Sequence, residues 1–198
     1  MTNNHISIIS PVYGAEKTLP ILCQQIIDTV STITENFEII LVNDQSPDAA
    51  WDVIKSLAVK DPRIKGIDLS RNFGHHKAVM TGLANADGDF VFYIDLDLEE
   101  DPELLELFWK ELEECNDTDV VFGVQNKRKG GFFEQISGAL FFDIFNFFSD
   151  IKIPKNLIMA RIMTRRYVER RIKYQESELI FAGLCALTGC NQKPIVVK

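Results

Sequence analysis

Apolar residues recur in two rhythms along the chain, alternating between short runs and helical spacing. Ile6–Ser10 reads as a strand. Leu19, Leu22, Ile26, Val30 and Ile33 then follow at helical spacing, with Thr18 as a cap and Pro20 tolerated in the first turn. Phe37–Val42 (FEIILV) is a nearly continuous apolar run, the signature of a strand covered on both faces. The same rhythm predicts a helix from about Asp48 to Lys60, a strand over Ile64–Leu69 and a helix from about His76 to Ala86. A fourth strand over Phe90–Ile94, a helix from about Pro102 to Cys115 and a fifth strand over Asp119–Val124 complete the series. Repeated βα units of this kind predict an α/β fold: a mostly parallel, doubly wound sheet with helices on both faces.

A chain of 198 residues is one domain with room for a proper core. The cysteines Cys23, Cys115, Cys185 and Cys190 form no CxxC pair and no metal-type spacing with histidine, so they read as reduced thiols of a cytoplasmic protein. The N-terminus passes directly into HISIIS, without a charged-then-apolar secretion signal. No run of about 18 uncharged apolar residues exists to span a membrane. The net charge of -8 conceals an asymmetry. Between Lys152 and Lys173 stand Lys152, Lys155, Arg161, Arg165, Arg166, Arg170, Arg171 and Lys173 against the single acid Glu169. This segment reads either as a contact for an anionic partner or as a solvated helix face. Nucleic acid is excluded as that partner, because the rest of the surface is acidic and repels phosphates.

Ligands of a doubly wound sheet bind beyond the carboxyl ends of its strands. Those ends read PVYGAEK, NDQSPD, SRNFGHH and DLDLEED, so polar and charged residues converge from four strands on one edge. The last of them is crowded: Asp95, Asp97, Glu99, Glu100, Asp101 and Glu103 fall within nine residues. Asp101, Pro102 and Glu103 have the pattern of a helix start, which accounts for Glu100 to Glu103 without further function. Asp95 and Asp97 are different. Two apart at the end of a buried strand, they face the same side of the sheet and raise each other's pKa unless a cation joins them. Hard oxygen ligands suit Mg2+ or Mn2+, bound through one or two carboxylates together with substrate phosphates.

The motifs at these strand ends resemble those of inverting family-2 glycosyltransferases. PVYGAEKTL is similar to their PVYNAE or PVYNEE, with Gly14 in place of the usual Asn. VNDQSPD resembles VDDGSTD, SRNFGHHKAVMTGL resembles SRNFGxxxAxxxGL, and ADGDFVFYIDLDLEEDPELL resembles AxGDxxxxxDADLQDPPELL. FGVQNKRKG further resembles their GVRxxR element, so the likeness runs from Ile6 to Lys129 in order and spacing. The branch it most resembles transfers sugars to dolichyl and polyprenyl phosphates. The resemblance implies a GT-A fold that binds a nucleoside diphosphate sugar and a divalent metal, Mg2+ or Mn2+. It implies that Pro11, Tyr13, Glu16 and Asp44 hold base and ribose, and that Asp95 touches the ribose or the metal. Asp97 would coordinate the metal bridging the diphosphate, and Arg71 and Arg128 would contact phosphate or sugar. His75 and His76 carry no metal signal and read as loop or helix-start residues. Residues 1–130 would then form the nucleotide-sugar and metal-binding half of one domain, and 131–198 its acceptor-side, membrane-proximal helices.

In Phe132–Phe148 (FFEQISGALFFDIFNFF) seven of the fourteen phenylalanines lie within seventeen residues, interrupted by Glu134, Asp143 and Asn146. This is the pattern of a helix lying at a membrane surface, and the basic stretch after it suits anionic headgroups. The chain ends on KPIVVK, read as a strand; it either lacks the C-terminal membrane helices of the resembling branch or stops short of them. Where that branch carries Asp-Phe-Arg-Leu, this chain has Met159, Ala160, Arg161 and Ile162. The site assignment is therefore Asp97 with Arg161 as the catalytic pair, Arg161 binding an acceptor phosphate. The expected acceptor is a polyprenyl phosphate or a surface glycan, and the expected location is the cytoplasmic face of the cell membrane, peripherally bound. A nucleotidyltransferase is a weaker alternative, since the first loop lacks the expected Gly- and Lys/Arg-rich sequence. A receiver domain needs acids after strands 1 and 3, whereas these follow strands 2 and 4. A degenerate sugar-nucleotide-binding partner subunit shares every motif and differs only in turnover.

Overall fold

The run FEIILV becomes the second strand, Phe37–Asn43, buried at all seven positions, as a strand covered on both faces requires. The computed structural model describes residues 3–96, 100–115, 117–125, 156–174, 188 and 190–197. Among them are the strands β1 (Ile6–Val12), β2 (Phe37–Asn43), β3 (Ile64–Asp68), β4 (Phe90–Tyr93), β5 (Val120–Gln125), β6 (Leu157–Thr164) and β7 (Gln192–Val197). The helices are α1 (Leu19–Ile33), α2 (Ala50–Lys60), α3 (His75–Asn85), α4 (Leu104–Glu114) and α5 (Arg165–Arg171). The strands form one sheet in the order β3-β2-β1-β4-β6-β5-β7. β1 to β4 are parallel, β6 runs antiparallel to both β4 and β5, and β7 is parallel to β5.

Alternation along the strands divides the core into two layers. Ile6, Ile8, Ile39, Leu41 and Phe92 pack with Leu22 and Ile26 of α1, Ile54 of α2 and Phe108 of α4. On the opposite face Ile9, Ile40, Val42, Val91 and Tyr93 pack with Val79 and Leu83 of α3 and with Tyr167 and Val168 of α5. The helices predicted from periodicity thus cover both faces. Their ends shift by one or two residues, for local reasons. Thr18 precedes α1 but has helical backbone angles and makes no side-chain cap; its hydroxyl donates to Ala15 O at 3.3 Å in a preceding turn. α4 begins at Leu104, because Asp101 accepts the Glu103 N–H at 3.0 Å and closes a turn first. Cys23, Cys115 and Cys190 are free thiols, and burial pushes that of Cys23 up to about 12.

The basic segment divides between the interior and the surface. Part of it is β6, inserted between β4 and β5, followed directly by α5. Arg161 and Arg171 are buried, at 1% and 2% exposure. Arg165 Nε donates to Gly88 O at 2.9 Å, and Arg166 Nε to Asp119 at 2.8 Å. Arg161 and Arg171 are thus inside the fold, whereas Arg166, Glu169, Arg170 and Lys173 are exposed, and the α5 end of the segment is a solvated helix face. The described part of 131–198 completes the sheet with two strands and one short helix. Phe132–Phe148 lies outside the described residues, as does most of the stretch expected to carry membrane-proximal helices.

Candidate active site

Chain order reverses beside β1, which has β2 on one side and β4 on the other. Such a switch point opens a crevice at the carboxyl edge of a sheet. Here it is a cleft of ≈ 500 Å³, lined from four segments. Pro11, Tyr13, Gly14 and Thr18 come from the end of β1 and the loop into α1, and Asp44 from the end of β2. Asn72, Gly74 and His75 come from the loop after β3, and Asp95 and Leu96 from the end of β4.

Local chemistry shapes each wall. Gly14 has φ +67, in the left-handed region that only Gly and Asn visit readily. This explains why glycine can stand where the resembling family carries asparagine: the backbone conformation is what the position needs. The Gly14 N–H donates to Ser46 Oγ at 2.6 Å, and Ser46 Oγ donates to Asp48 at 2.6 Å. Glu16 braces the same two loops, with its N–H on Asp48 at 2.9 Å and its carboxylate accepting the Ala49 N–H at 3.2 Å. Asp44, 3% exposed, accepts the N–H groups of Phe73 at 2.7 Å and Gly74 at 3.0 Å. It thereby pins the loop after β3 at Gly74, whose φ of +90 suits glycine.

Of the residues expected to bind donor or metal, the structure brings Pro11, Tyr13, Asp44 and Asp95 together around the cleft. Glu16 serves the loop brace instead. Arg71 is exposed on the loop after β3, its guanidinium carbon 4.2 Å over the Phe73 ring. Asp97 and Arg128 lie outside the described residues. Arg161 does not reach outward as an acceptor contact: it is buried in β6 beside Tyr93, with Nε donating to Met159 O at 2.9 Å and Nη2 to Ile158 O at 3.3 Å.

Three participants were not legible in the sequence. Tyr93 OH donates to Asp95 Oδ1 at 2.7 Å and lies 2.7 Å from His75 Nε2. Burial, reinforced by Asp95, raises the Tyr93 pKa well above its ordinary value. His75, read as a helix-start residue, does open α3 but also faces the cleft. Glu100 does not belong to the helix start: its Oε1 accepts the N–H groups of Met159 at 2.6 Å and Ala160 at 3.1 Å. Burial raises its pKa against the lowering effect of those bonds. His75 and Glu100 find their partners 18 and 59 residues away, brought near only by the tertiary fold.

The cleft's carboxylates and amide are oxygen donors of the kind that suit Mg2+ or Mn2+. Among the described residues no three His, Cys, Asp or Glu side chains form a metal-binding group. Asp95 at this edge fits an ion that draws its remaining ligands from a diphosphate and water.

Comparison with known proteins gives a consistent answer. Residues 7–175 match glycosyl transferase family 2. A Mycobacterium tuberculosis protein named as a glycosyltransferase is 42% identical over 192 residues, covering 97% of this chain and 56% of that protein. The prophage bactoprenol glucosyl transferase homolog of Escherichia coli K12 is 29% identical over 185 residues, covering 93% of this chain and 60% of that protein. This chain thus spans less than two thirds of the length of these relatives. The mannosyltransferase PcManGT of Pyrobaculum calidifontis, solved with GDP-Man and Mn2+, superposes with a TM-score of 0.63 at 17% identity, over 98% of this chain and 55% of that one. The sheet and its flanking helices are those of the GT-A fold.

Proposed function

This chain belongs to glycosyl transferase family 2, and from that premise we propose that it moves a sugar from a nucleoside diphosphate sugar to a polyprenyl phosphate, with inversion and with a divalent ion. The observation that carries the proposal is the convergence of Pro11, Tyr13, Asp44 and Asp95 on one cleft at the switch point of the sheet. In this reading Tyr13, 58% exposed at the cleft wall, offers aromatic surface to the base, with Pro11 beside it. Asp44 holds the loop after β3 against the ribose. Asp95 and Asp97 hold Mg2+ or Mn2+, which when bound offsets charge on the leaving diphosphate. Arg71, with Arg128, supplies further positive charge to phosphate or sugar, and the Phe73 ring restricts where Arg71 can swing.

The acceptor class rests on the bactoprenol-named relatives and on chemistry. A sugar hydroxyl must lose its proton as it attacks, so it needs a positioned base. A phosphate monoester, with a second pKa of about 6, is already ionised near neutral pH and needs only placement. Arg161 takes a different part from direct contact: beside Tyr93, its buried charge acts on the phenol in the opposite direction to Asp95 and Glu100. Membrane placement is proposed from the Phe-rich segment, at the cytoplasmic face. No helix among the described residues is long and apolar enough to cross a membrane.

A panel of nucleotide sugars, each supplied with Mn2+ and either polyprenyl phosphate or a soluble sugar acceptor, tests this reading. Sugar appearing on the lipid phosphate is expected. Efficient transfer to a hydroxyl, with no response to polyprenyl phosphate, contradicts it.

A further inference from the structure

Resting on the family reading of the cleft, we infer that Tyr93 and His75 are positioning residues that lock the Asp95 carboxylate in the orientation that receives the divalent ion. The order of the hydrogen bonds follows from their chemistry. A carboxylate only accepts, so the single phenol proton of Tyr93 goes to Asp95 Oδ1, 2.7 Å away. His75 Nε2, 2.7 Å from the same phenol oxygen, must then be the donor to it. The chain runs one way: His75 Nε2–H to Tyr93 Oη, and Tyr93 Oη–H to Asp95 Oδ1. His75 Nε2 lies 3.5 Å from Asp95 Oδ1, so the phenol is the shorter link between them.

The geometry has the features of a rigid support. Tyr93 is fully buried on β4, its ring packed with the apolar layer beneath α3, so its hydroxyl position is set by the sheet. His75 is fixed by the start of α3 and stands in the cleft wall, with its side chain 42% exposed. Asp95 lies just beyond the last residue of β4. A hydrogen bond to one oxygen is what restrains rotation of such a carboxylate. Partners behind a metal ligand usually contribute 10–100-fold to metal affinity. Tyr93 thus does for Asp95 what a buried strand does for its own backbone.

Calorimetry with UDP and GDP, with and without Mn2+, tests the inference on the whole chain. Tyr93→Phe keeps the ring and removes the hydroxyl. It is expected to weaken Mn2+-dependent nucleotide binding about 10-fold or more, while binding without metal and the melting temperature stay near those of the parent. His75→Leu should weaken it in the same way. His75→Gln, which retains an amide donor to Tyr93 Oη, should recover most of the loss. Unchanged Mn2+ dependence in both Tyr93→Phe and His75→Leu overturns the inference and leaves the family reading intact. Equal losses in His75→Gln and His75→Leu also overturn it, since the donor would then be irrelevant. Failure of the parent protein to bind either nucleotide with Mn2+ removes the family reading of the cleft, and this inference with it. Because His75 is partly exposed, its variants keep the test decisive even if Tyr93→Phe fails to fold.

Discussion

Glu100 accepts the backbone N–H of Met159 at 2.6 Å, joining the loop after β4 to a strand 59 residues further along the chain. The same oxygen accepts the Ala160 N–H, so one buried carboxylate satisfies two donors of β6. Glu100→Ala leaves both donors without that acceptor and is expected to cost about 1–3 kcal/mol. Glu100→Gln keeps a carbonyl oxygen and should cost less. Burial raises the Glu100 pKa, so the native state binds that proton more tightly than the unfolded chain does. Its contribution is fully present below the unfolded value of about 4.3 and is lost as pH rises through the folded value. Urea unfolding of parent and Glu100→Gln across this range checks both points; a parallel pair of curves contradicts the pH assignment.

Asp119 works in the opposite direction. Burial alone raises its pKa, but hydrogen bonds from Arg166, Thr164 and Asn191 outweigh that and hold it below the usual range. The carboxylate accepts from Arg166 Nε at 2.8 Å, Thr164 Oγ1 at 3.1 Å and Asn191 N at 3.2 Å, gathering the ends of β5, β6 and β7. Its stabilisation is present above the unfolded value of about 3.9 and disappears as pH falls through the lower folded value. Asp119→Asn is expected to destabilise at neutral pH and to lose much of the acid dependence below pH 4. Thermal unfolding between acid and neutral pH measures this.

Much of this organisation was legible in the sequence, and the exceptions share a physical cause. β2 and β4 are legible because a strand buried on both faces must be nearly continuously apolar. The cleft was legible because the turns after four strands carried its polar residues. β6 was not: LIMARIMT has an arginine at its centre, and counting charge along the chain read that arginine as surface. Its register against Tyr93 and Phe122 is what hides it, and register is absent from local sequence. Glu100 was assigned to the helix start beside Asp101 and Pro102 because its real partners are distant in sequence. His75 reads as a loop or helix-start residue for the same reason, its partner Tyr93 being 18 residues away on β4.

Position 14 tests whether backbone conformation alone selects its residue. No heavy atom lies within 4 Å of a Cβ added there, so space is not the constraint, whereas φ is +67. Gly14→Ala is expected to lose about 1–2 kcal/mol, while Gly14→Asn, the residue of the resembling family, should lose less. Equal losses on chemical unfolding contradict a conformational origin.

Membrane association tests the reassignment of the basic segment. With Arg161 and Arg171 buried, Arg165 bonded to Gly88 and Arg166 paired with Asp119, anionic lipid has little to recognise in these four. Flotation with vesicles should therefore depend on the Phe132–Phe148 segment, falling when its phenylalanines are replaced by serine and changing little with salt. Binding that requires anionic lipid and collapses at high salt contradicts this.

Nucleotide binding by the cleft is the central claim, and calorimetry on Asp97→Ala beside the parent tests it most directly. The parent should bind UDP or GDP saturably with Mn2+, and excess chelator should weaken that binding at least about 10-fold. Asp97→Ala should bind with Mn2+ no better than the parent does in chelator. Undiminished affinity in Asp97→Ala, or in the parent with chelator, contradicts a metal-bridged diphosphate at this edge.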